Sequence, residues 1–234
     1  MRKITIAFDG YSSTGKSTIA KQLAKALGYI YVDTGAMYRA ITLFAMRNGF
    51  NNIDSENASE LVQLLPKANL EFVYNERLGF SEMYLNGENV EREIRALPVS
   101  QQVSKVAAIE EVRHKLVDMQ KAMGKKKGIV MDGRDIGTVV FPDAELKIFM
   151  TASPETRAFR RYKELLDKGE NVSYPEVLKN VQERDYLDTH REFSPLRRAA
   201  DAIKFDNSDM GLEEQFERIH NYALRVIEKC NQKA

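Results

Sequence analysis

A short segment near the start of the chain has the residue types needed to bind phosphate groups. Residues 10–17 read GYSSTGKS, with two glycines five positions apart, followed by a lysine and a serine. The glycines allow a loop whose N–H groups point at phosphate oxygens, the lysine adds a positive charge, and the serine hydroxyl can bind Mg²⁺. The segment fits the pattern G-x-x-x-x-G-K-[ST], the P-loop, which predicts a nucleoside triphosphate bound with Mg²⁺.

The elements on either side of the P-loop support this interpretation. Residues 3–8 (KITIAF) predict a short β-strand, and apolar residues at helical spacing over residues 19–27 predict a helix that ends at Gly28. A strand before the loop and a helix after it are the context that the pattern requires, and the helix N-terminus attracts the same anion. The alternative is a chance glycine-rich turn, and this context argues against it.

The rest of the chain alternates between strand and helix patterns. Further strands are predicted at residues 29–32, 128–131, 146–151 and 202–205. Helices are predicted in most of the intervals between strands, among them one over residues 98–123. This order predicts an α/β fold with a parallel sheet of five strands. Residues 67–92 differ, because short strand-like runs there are followed by the turn dipeptide Asn86-Gly87, which predicts a small antiparallel insertion.

Composition narrows the classes of partner. The 234 residues include 35 lysines and arginines against 34 aspartates and glutamates, a formal net charge of +1. A nearly neutral chain gives no reason to expect nucleic acid or an anionic membrane as a partner. No apolar run reaches the about 18 residues of a membrane span, and we see no signal peptide. A single cysteine, Cys230, cannot form an intrachain disulfide, so we expect a reduced, cytoplasmic location.

Three classes of P-loop protein remain to be separated. A regulatory GTPase needs a D-x-x-G element and an N-K-x-D element, and the sequence contains neither. A motor or helicase usually has a longer chain and a separate mechanical element. A small kinase needs a second anion site facing the P-loop, together with cations that cover the transferring group.

Two segments are candidates for that second site. Residues 33–40 (DTGAMYRA) and residues 131–138 (MDGRDIGT) each follow a predicted strand. In open α/β sheets ligands bind outside the carboxyl ends of the strands, so Tyr38, Arg39, Arg134 and Asp135 are expected to face the same crevice as the P-loop. Taken singly, each segment could be a capped helix start or an exposed turn, and their joint occurrence favours the second site.

A cation-rich helix is the candidate for the covering element. It begins near residues 153–154, carries Arg157, Arg160 and Arg161, and is interrupted at residues 167–171 before a second helix. Lids of this kind exclude water and bring arginines to the transferring phosphoryl group. The alternative is a helix whose charged face is simply solvated.

Five segments, in chain order, resemble the bacterial cytidylate kinases, a branch of the nucleoside monophosphate kinases. They are GYSSTGKST, DTGAMYR, SQQVSKVAAIEEVR, DGRDIGTVVFPDA and ERDYLDTHR, and the resemblance runs over essentially the whole chain. It implies a five-stranded parallel sheet with helices on both faces, the P-loop NTPase fold of this kinase type, with an antiparallel insertion and a helical lid. The implied single kinase domain, 1–234, has a core at 1–32, 93–152 and 196–234, a monophosphate-binding region at about 33–92 that includes the insertion at 67–92, and a lid at about 153–195.

The resemblance also implies a reaction and its residues. ATP with Mg²⁺ as cofactor would phosphorylate CMP and dCMP, and we expect a monomer. Residues implied to bind ATP are Gly10, Tyr11, Ser12, Ser13, Thr14, Gly15, Lys16, Ser17 and Thr18, with Ser17 as the Mg²⁺ ligand. Those implied to bind CMP are Thr34, Tyr38, Arg39, Ser104, Arg113, Arg134, Asp135, Arg184, Asp188 and Arg191. Those implied in catalysis are Lys16, Arg134, Arg157 and Arg161. The chain departs from the many members that have a Pro-Ser-Gly-Ala type of P-loop, since it has YSST there.

The chemistry explains why cations dominate these candidates. A phosphate monoester has a second pKa of about 6, so CMP is mostly dianionic at neutral pH and needs no general base. Asp135 is the candidate reader of cytosine, because a carboxylate accepts from the N4 amino group and repels the O4 of uracil. Two other hypotheses stay open at this point. One is a P-loop kinase for another small acceptor, such as UMP or shikimate, and the other is a nucleotide-dependent regulatory module without transfer activity.

Overall fold

The computed structural model describes residues 2–54 and 57–232. Its strands are β1 (Thr5–Gly10), β2 (Ile30–Asp33), β3 (Leu70–Asn75), β4 (Phe80–Leu85), β5 (Glu88–Asn89), β6 (Ile129–Gly133), β7 (Leu146–Thr151) and β8 (Ile203–Asp206). Its helices are α1 (Lys16–Leu27), α2 (Thr34–Arg47), α3 (Ala58–Leu64), α4 (Leu97–Val106), α5 (Glu110–Met123), α6 (Pro154–Asp167), α7 (Tyr174–His190) and α8 (Leu212–Gln232). Short 3₁₀ turns lie at Leu65–Lys67 and Glu93–Arg95, and a π turn lies at Ile136–Val140.

Within the described ranges, the main sheet has five parallel strands in the order β2-β6-β1-β7-β8. This confirms the predicted fold class. The central strand β1 is paired on both sides, with Thr5 opposite Ile129 of β6 and Ile6 opposite Leu146 of β7. Because parallel strands end at the same edge, the loops that follow β1, β6 and β7 emerge side by side.

Apolar packing on one face of the sheet fixes the helix that follows the P-loop. Phe8 of β1, Leu23 of α1, Ile148 of β7 and Ile219 of α8 are all almost completely buried in one cluster. Apolar residues at helical spacing on α1 and α8 supply this face, and each buried side chain of this size contributes roughly 1.5–3 kcal/mol. The burial of α1 therefore holds the N-terminus of the helix at the end of β1.

The chain divides into two compact units. The first comprises residues 2–32, 123–190 and 194–232, and the second comprises residues 33–54, 57–122 and 191–193. Residues 93–122, which were predicted to belong to the core, group with the second unit by contact, so the extent of the monophosphate-binding region stays a prediction. No helix of the described residues is both long and apolar enough to cross a membrane.

The antiparallel insertion is confirmed in the second unit, where β3, β4 and β5 form a sheet in that order. Asn86 and Gly87 connect β4 to β5, and both have positive φ, 51° and 83°. Two such residues form the type I′ turn that matches the twist of a hairpin, and this is why the dipeptide predicted it.

The prediction of one helix over residues 98–123 is wrong, because α4 ends at Val106 and α5 begins at Glu110. The backbone between the helices turns sharply, and Arg113 Nη1 donates to the carbonyl oxygen of Ala107 at 3.0 Å. A side chain one turn into α5 thus satisfies a carbonyl that a continuous helix would have paired internally.

In the first unit, α6 and α7 form a helical hairpin. Ala158, Leu165, Val177 and Val181 pack between the two helices as a small apolar cluster. Ser153 caps α6, since its Oγ accepts from the N–H of Thr156 at 3.1 Å. These contacts give the predicted lid segment its own small core.

Candidate active site

The P-loop connects the central strand to α1 in a conformation that only its glycines allow. Gly10 has φ of 146°, and a Cβ there would lie 2.1 Å from the carbonyl oxygen of Met150. Gly15 has φ of 84° and forms the N-cap of α1, with its carbonyl accepting from the N–H of Thr18 at 3.1 Å. The loop can therefore turn at both ends and lead directly into the N-terminus of α1, an end of a helix that attracts anions.

Lys16 places its charge over this loop. The residue is 6% exposed, and its Nζ donates to the carbonyl oxygen of Tyr11 at 3.2 Å. Thr14 Oγ1 donates to the same carbonyl oxygen at 3.1 Å. The ammonium group is thus folded back toward the region that the P-loop encloses, where it can neutralise phosphate oxygens.

Ser17 contacts a carboxylate, that of Asp132, which was not among the predicted site residues. Its Oγ donates to Asp132 Oδ2 at 2.7 Å, and the hydroxyl of Tyr31 donates to Oδ1 of the same aspartate at 2.8 Å. Asp132 is buried near the end of β6. Its position within the quoted motif MDGRDIGT, directly after an apolar strand, was a signal that could have identified it.

A hydroxyl and a carboxylate in contact fit Mg²⁺. This cation prefers hard oxygen ligands and usually combines one or two carboxylates with phosphate oxygens and water, so a full cage of protein ligands is not needed. In keeping with this, no group of three or more His, Cys, Asp or Glu residues able to hold a metal occurs among the described residues. Ser17 and Asp132 are therefore the residues that could hold a Mg²⁺ ion shared with the phosphates.

A second buried carboxylate, Asp9, was also missed. It is 5% exposed, and its two oxygens accept from the backbone N–H groups of Ile136 and Gly137, each at 2.7 Å. Burial raises the pKa of Asp9 to about 7, although both N–H groups and the nearby Lys16 oppose the rise. A Cβ on Gly137 would lie 3.2 Å from Asp9 Oδ2, so a glycine suits this close approach. Asp9 thus fixes the turn that follows Arg134 and Asp135 to the end of the central strand.

Arg134 and Asp188, two predicted CMP ligands, are brought together in the first unit. Arg134 Nε donates to Asp188 Oδ2 at 2.9 Å, and both side chains are at least four-fifths buried. Asp135, which is 2% exposed, lies just before the π turn, and Arg184 lies one helical turn before Asp188 on α7. The structure therefore places a donor and carboxylates close to the carboxyl end of β6.

Arg157, a predicted catalytic residue, is 2% exposed and makes internal contacts. Its guanidinium donates twice to the Asp185 carboxylate, at 3.0 and 2.5 Å, and Nε donates to the carbonyl oxygen of Ala152 at 3.0 Å. Its Cζ also lies 5.0 Å from the centre of the Tyr11 ring. These contacts anchor α6 to α7 and to the P-loop, and a direct role for Arg157 in transfer stays a prediction.

The neighbouring arginines have different surroundings. Arg161 pairs with Glu164 on its own helix, at 2.9 Å. Arg160, an arginine of the candidate covering helix that was not among the predicted site residues, donates to the carbonyl oxygens of Asn207 at 2.8 Å and Thr14 at 3.4 Å. Asn207 is fully buried and its Nδ2 donates to Thr14 at 2.7 Å, so the loop after β8 is also tied to the P-loop. No sequence pattern identified Asn207.

In the second unit, Arg39 lies over the N-terminus of α2. Asp33 caps this helix, with Oδ1 accepting from the N–H of Ala36 at 3.0 Å, and its Oδ2 accepts from Arg39 Nη2 at 2.8 Å. The Nε of Arg39 is buried and has no hydrogen-bond partner among the described residues. An anion oxygen would satisfy this donor, which suits the predicted role of Arg39 in holding a phosphate.

Three further predicted CMP ligands lie in the same unit. Arg113 is 2% exposed, and its Cζ lies 5.2 Å from the centre of the Tyr38 ring, a distance at which a cation and an aromatic face attract each other. Thr34 is the first residue of α2, and Ser104 is buried on α4. Tyr38 and Arg113 are thus brought together, whereas their part in binding a base stays a prediction.

Comparison with known proteins relates this chain to one family. Residues 6–225 match the family model described as cytidylate kinase. A cytidylate kinase of Flavobacterium johnsoniae is 67% identical over 227 residues, which is 97% of this chain and 99% of the relative. A cytidylate kinase of Bacteroides thetaiotaomicron is 53% identical over 229 residues, covering 98% of this chain and 100% of the relative. Among solved structures, a gluconokinase from Sinorhizobium meliloti aligns with 100% of this chain and 99% of its own, at 12% identity and a TM-score of 0.49.

Proposed function

Because the chain belongs to the cytidylate kinase family, we propose that it transfers the γ-phosphoryl group of ATP to CMP and dCMP, giving CDP and dCDP for pyrimidine nucleotide metabolism. One observation of the structure carries the proposal. The P-loop leaves the central strand with Lys16 folded over it, and Ser17 lies 2.7 Å from the carboxylate of Asp132. This arrangement suits a triphosphate bound together with a divalent cation.

The chain's task in this reaction is electrostatic. The phosphate of CMP is its own nucleophile, and two polyanions must approach in line before the bond forms. Lys16 would hold the β- and γ-phosphates, Arg39 and Arg134 would hold the acceptor phosphate, and Arg161 would cover the transferring group from α6. One well-placed arginine contributes roughly 10³-fold or more to the rate of phosphoryl transfer.

Magnesium has a limited part in the proposal. When bound with ATP it would supply positive charge that offsets the negative charge of the phosphate groups. Ser17 and Asp132 are the residues that would hold it, and Tyr31 fixes the carboxylate by donating to its other oxygen. Because Asp132 is 2% exposed, few waters compete for its oxygens.

Cytosine recognition is assigned to the buried carboxylate of Asp135. The cytosine N4 amino group donates where uracil has the O4 acceptor, so a carboxylate opposite this position favours CMP and repels UMP. Burial to 2% exposure strengthens the discrimination, since water cannot readily satisfy the mismatched pair. The remaining proposed acceptor ligands are Thr34, Tyr38, Ser104, Arg113, Arg184, Asp188 and Arg191.

The regions around the site receive roles in the same proposal. We assign the monophosphate-binding region to residues 33–92 and the lid to residues 153–195, which contain the α6–α7 hairpin. The monomeric state and the cytoplasmic location stay predictions.

A panel of acceptors tests the reaction. ADP release from Mg-ATP is followed by a coupled assay with CMP, dCMP, UMP, AMP, GMP and shikimate in turn. We expect fast turnover with CMP and dCMP and weak turnover with UMP. Fast turnover with a different acceptor alone would support a P-loop kinase but reject the proposed substrate. A rate of ADP release that is the same with and without each acceptor would favour a regulatory nucleotide-binding module.

A further inference from the structure

A series of hydrogen bonds and ion pairs in the second unit connects the antiparallel insertion to Arg39. The N–H of Met83, on β4, donates to Glu91 Oε2 at 3.0 Å, and Glu91 Oε1 accepts from Arg95 Nε at 2.9 Å. Arg95 Nη2 donates to Asp33 Oδ2 at 3.2 Å, and the same oxygen accepts from Arg39 Nη2 at 2.8 Å. The insertion is therefore linked, bond by bond, to Arg39, whose guanidinium lies against the first turn of α2.

Asp33 is the central member of this series, because its two carboxylate oxygens accept hydrogen bonds from different groups. Oδ1 caps α2 by accepting from the N–H of Ala36, while Oδ2 is shared by the two guanidinium groups. Burial alone would raise the pKa of Asp33, but Arg39 and Arg95 outweigh it and lower the pKa to about 2. The carboxylate is thus ionised throughout the physiological range, and a charged acceptor gives strong hydrogen bonds to both arginines.

Gly35 shows how closely Arg39 is held against this carboxylate. A Cβ at Gly35 would lie 2.9 Å from Arg39 Nη1 and 3.0 Å from Asp33 Oδ1. The guanidinium therefore packs directly on the first turn of α2, in a space that a side chain at this position would fill. The Asp33 carboxylate is thus the group that holds the Arg39 guanidinium against this turn.

The far end of α2 is fastened to the same segment. Arg47, its last residue, pairs with Glu88 at 2.7 Å and with Glu93 at 2.6 Å. Each of these side chains is at least one-third exposed, so the pairs are screened by solvent and are the weaker attachment. Residues 88–95 thus hold α2 at both ends, with the better-buried contact at Asp33.

We propose that Arg95 is a positioning residue that orients Arg39 for the acceptor phosphate, acting through Asp33. This inference rests on the proposed function, since it takes Arg39 as a ligand of the CMP phosphate. It also assigns a role to the segment in which the antiparallel insertion ends, since Glu91 lies at the end of the insertion and Arg95 just after it. In this proposal Arg95 stays paired with Glu91 and Asp33, and Arg39 is the residue that contacts the phosphate.

Replacing Arg95 tests the proposal directly. For Arg95→Ala we expect the KM for CMP to rise about tenfold, the loss expected for one charge-assisted hydrogen bond. The KM for ATP and the kcat at saturating CMP should stay within about twofold, because the P-loop is untouched. Arg95→Lys keeps one donor for Asp33 and should restore part of the lost affinity. Arg92→Ala is the matched control, since it removes an exposed arginine from the same segment, and its kinetics should equal those of the wild type.

Glu91→Gln separates positioning from direct binding by Arg95. The glutamine keeps an oxygen for the N–H of Met83 but removes the charge that steadies Arg95. A positioning role predicts a KM for CMP raised about threefold to fivefold, since the weakened pair is partly exposed. If Arg95 bound the phosphate itself, losing the competing Glu91 charge would leave the KM unchanged or lower it.

The outcomes are distinct. A wild type that does not phosphorylate CMP removes the proposed function, and the positioning role with it. With an active wild type, an unchanged KM for CMP in Arg95→Ala overturns the positioning role alone, as does a KM for CMP in Glu91→Gln that is unchanged or lowered. Should Arg95→Ala fail to fold, Glu91→Gln and Arg95→Lys decide the question, with thermal unfolding showing that each is folded at the assay temperature.

Discussion

Replacing Asp9 with asparagine tests the buried carboxylate at the end of the central strand. The side chain is 5% exposed, and burial raises its pKa from the ordinary 3.8 to about 7. Between these two pH values the folded protein keeps a proton on Asp9 that the unfolded chain has lost. The free energy of unfolding must therefore fall as the pH rises from about 4 to about 7, and this contribution levels off above pH 7.

The magnitude follows from the two pKa values. Each pH unit between them is worth about 1.36 kcal/mol, so the full span corresponds to ~4 kcal/mol. Asparagine resembles the protonated acid and does not titrate, so Asp9→Asn lacks this dependence. It also has only one oxygen for the N–H groups of Ile136 and Gly137, and the lost acceptor costs about 1–3 kcal/mol at every pH.

Urea denaturation of both proteins between pH 5 and pH 8 gives the measurement. The wild-type free energy of unfolding minus that of Asp9→Asn should fall by about 2–3 kcal/mol from pH 5 to pH 7. The subtraction removes the titration of all groups that the two proteins share. A difference that stays constant with pH, or that grows toward pH 7, would refute the argument that burial controls this carboxylate.

Three further substitutions test the site. Asp132→Asn should raise the Mg²⁺ concentration needed for half-maximal activity about tenfold, because the carboxylate beside Ser17 is lost, and an unchanged Mg²⁺ dependence would exclude this ligand. Arg157→Met should lower the free energy of unfolding by about 2–4 kcal/mol by leaving the Asp185 carboxylate without its partner, and an effect on kcat with unchanged urea denaturation would instead indicate a direct catalytic role. Asp135→Asn should reduce the ratio of kcat/KM for CMP to that for UMP by ~10²-fold, whereas the exposed control Asp143→Asn should leave the ratio unchanged. Equal ratios in Asp135→Asn and the wild type would reject Asp135 as the reader of cytosine.

Much of the fold was predictable because its signals are local. The P-loop pattern lies between a strand and a helix, and the strand runs alternate with helices as a parallel sheet requires. The hairpin at Asn86-Gly87 follows from the positive φ that these two residues accept readily. The break between α4 and α5 was not predictable from periodicity, because Arg113 closes it by a contact with Ala107 that the apolar pattern does not encode.

The amino-acid sequence is enough to predict the phosphate-binding loop, the five-stranded parallel sheet and the family, since each depends on residues that are close in the chain or follow a regular order. Which distant groups come into contact depends on how the chain folds. Asp132 reaches Ser17 across 115 positions, and Asp9 reaches Gly137 across 128 positions. The physical reason is the strand order β6-β1-β7, which brings loops far apart in the chain to one edge of the sheet. The sequence shows Arg157 only as one of several arginines on a charged helix. In the folded chain it is almost completely buried among other protein groups.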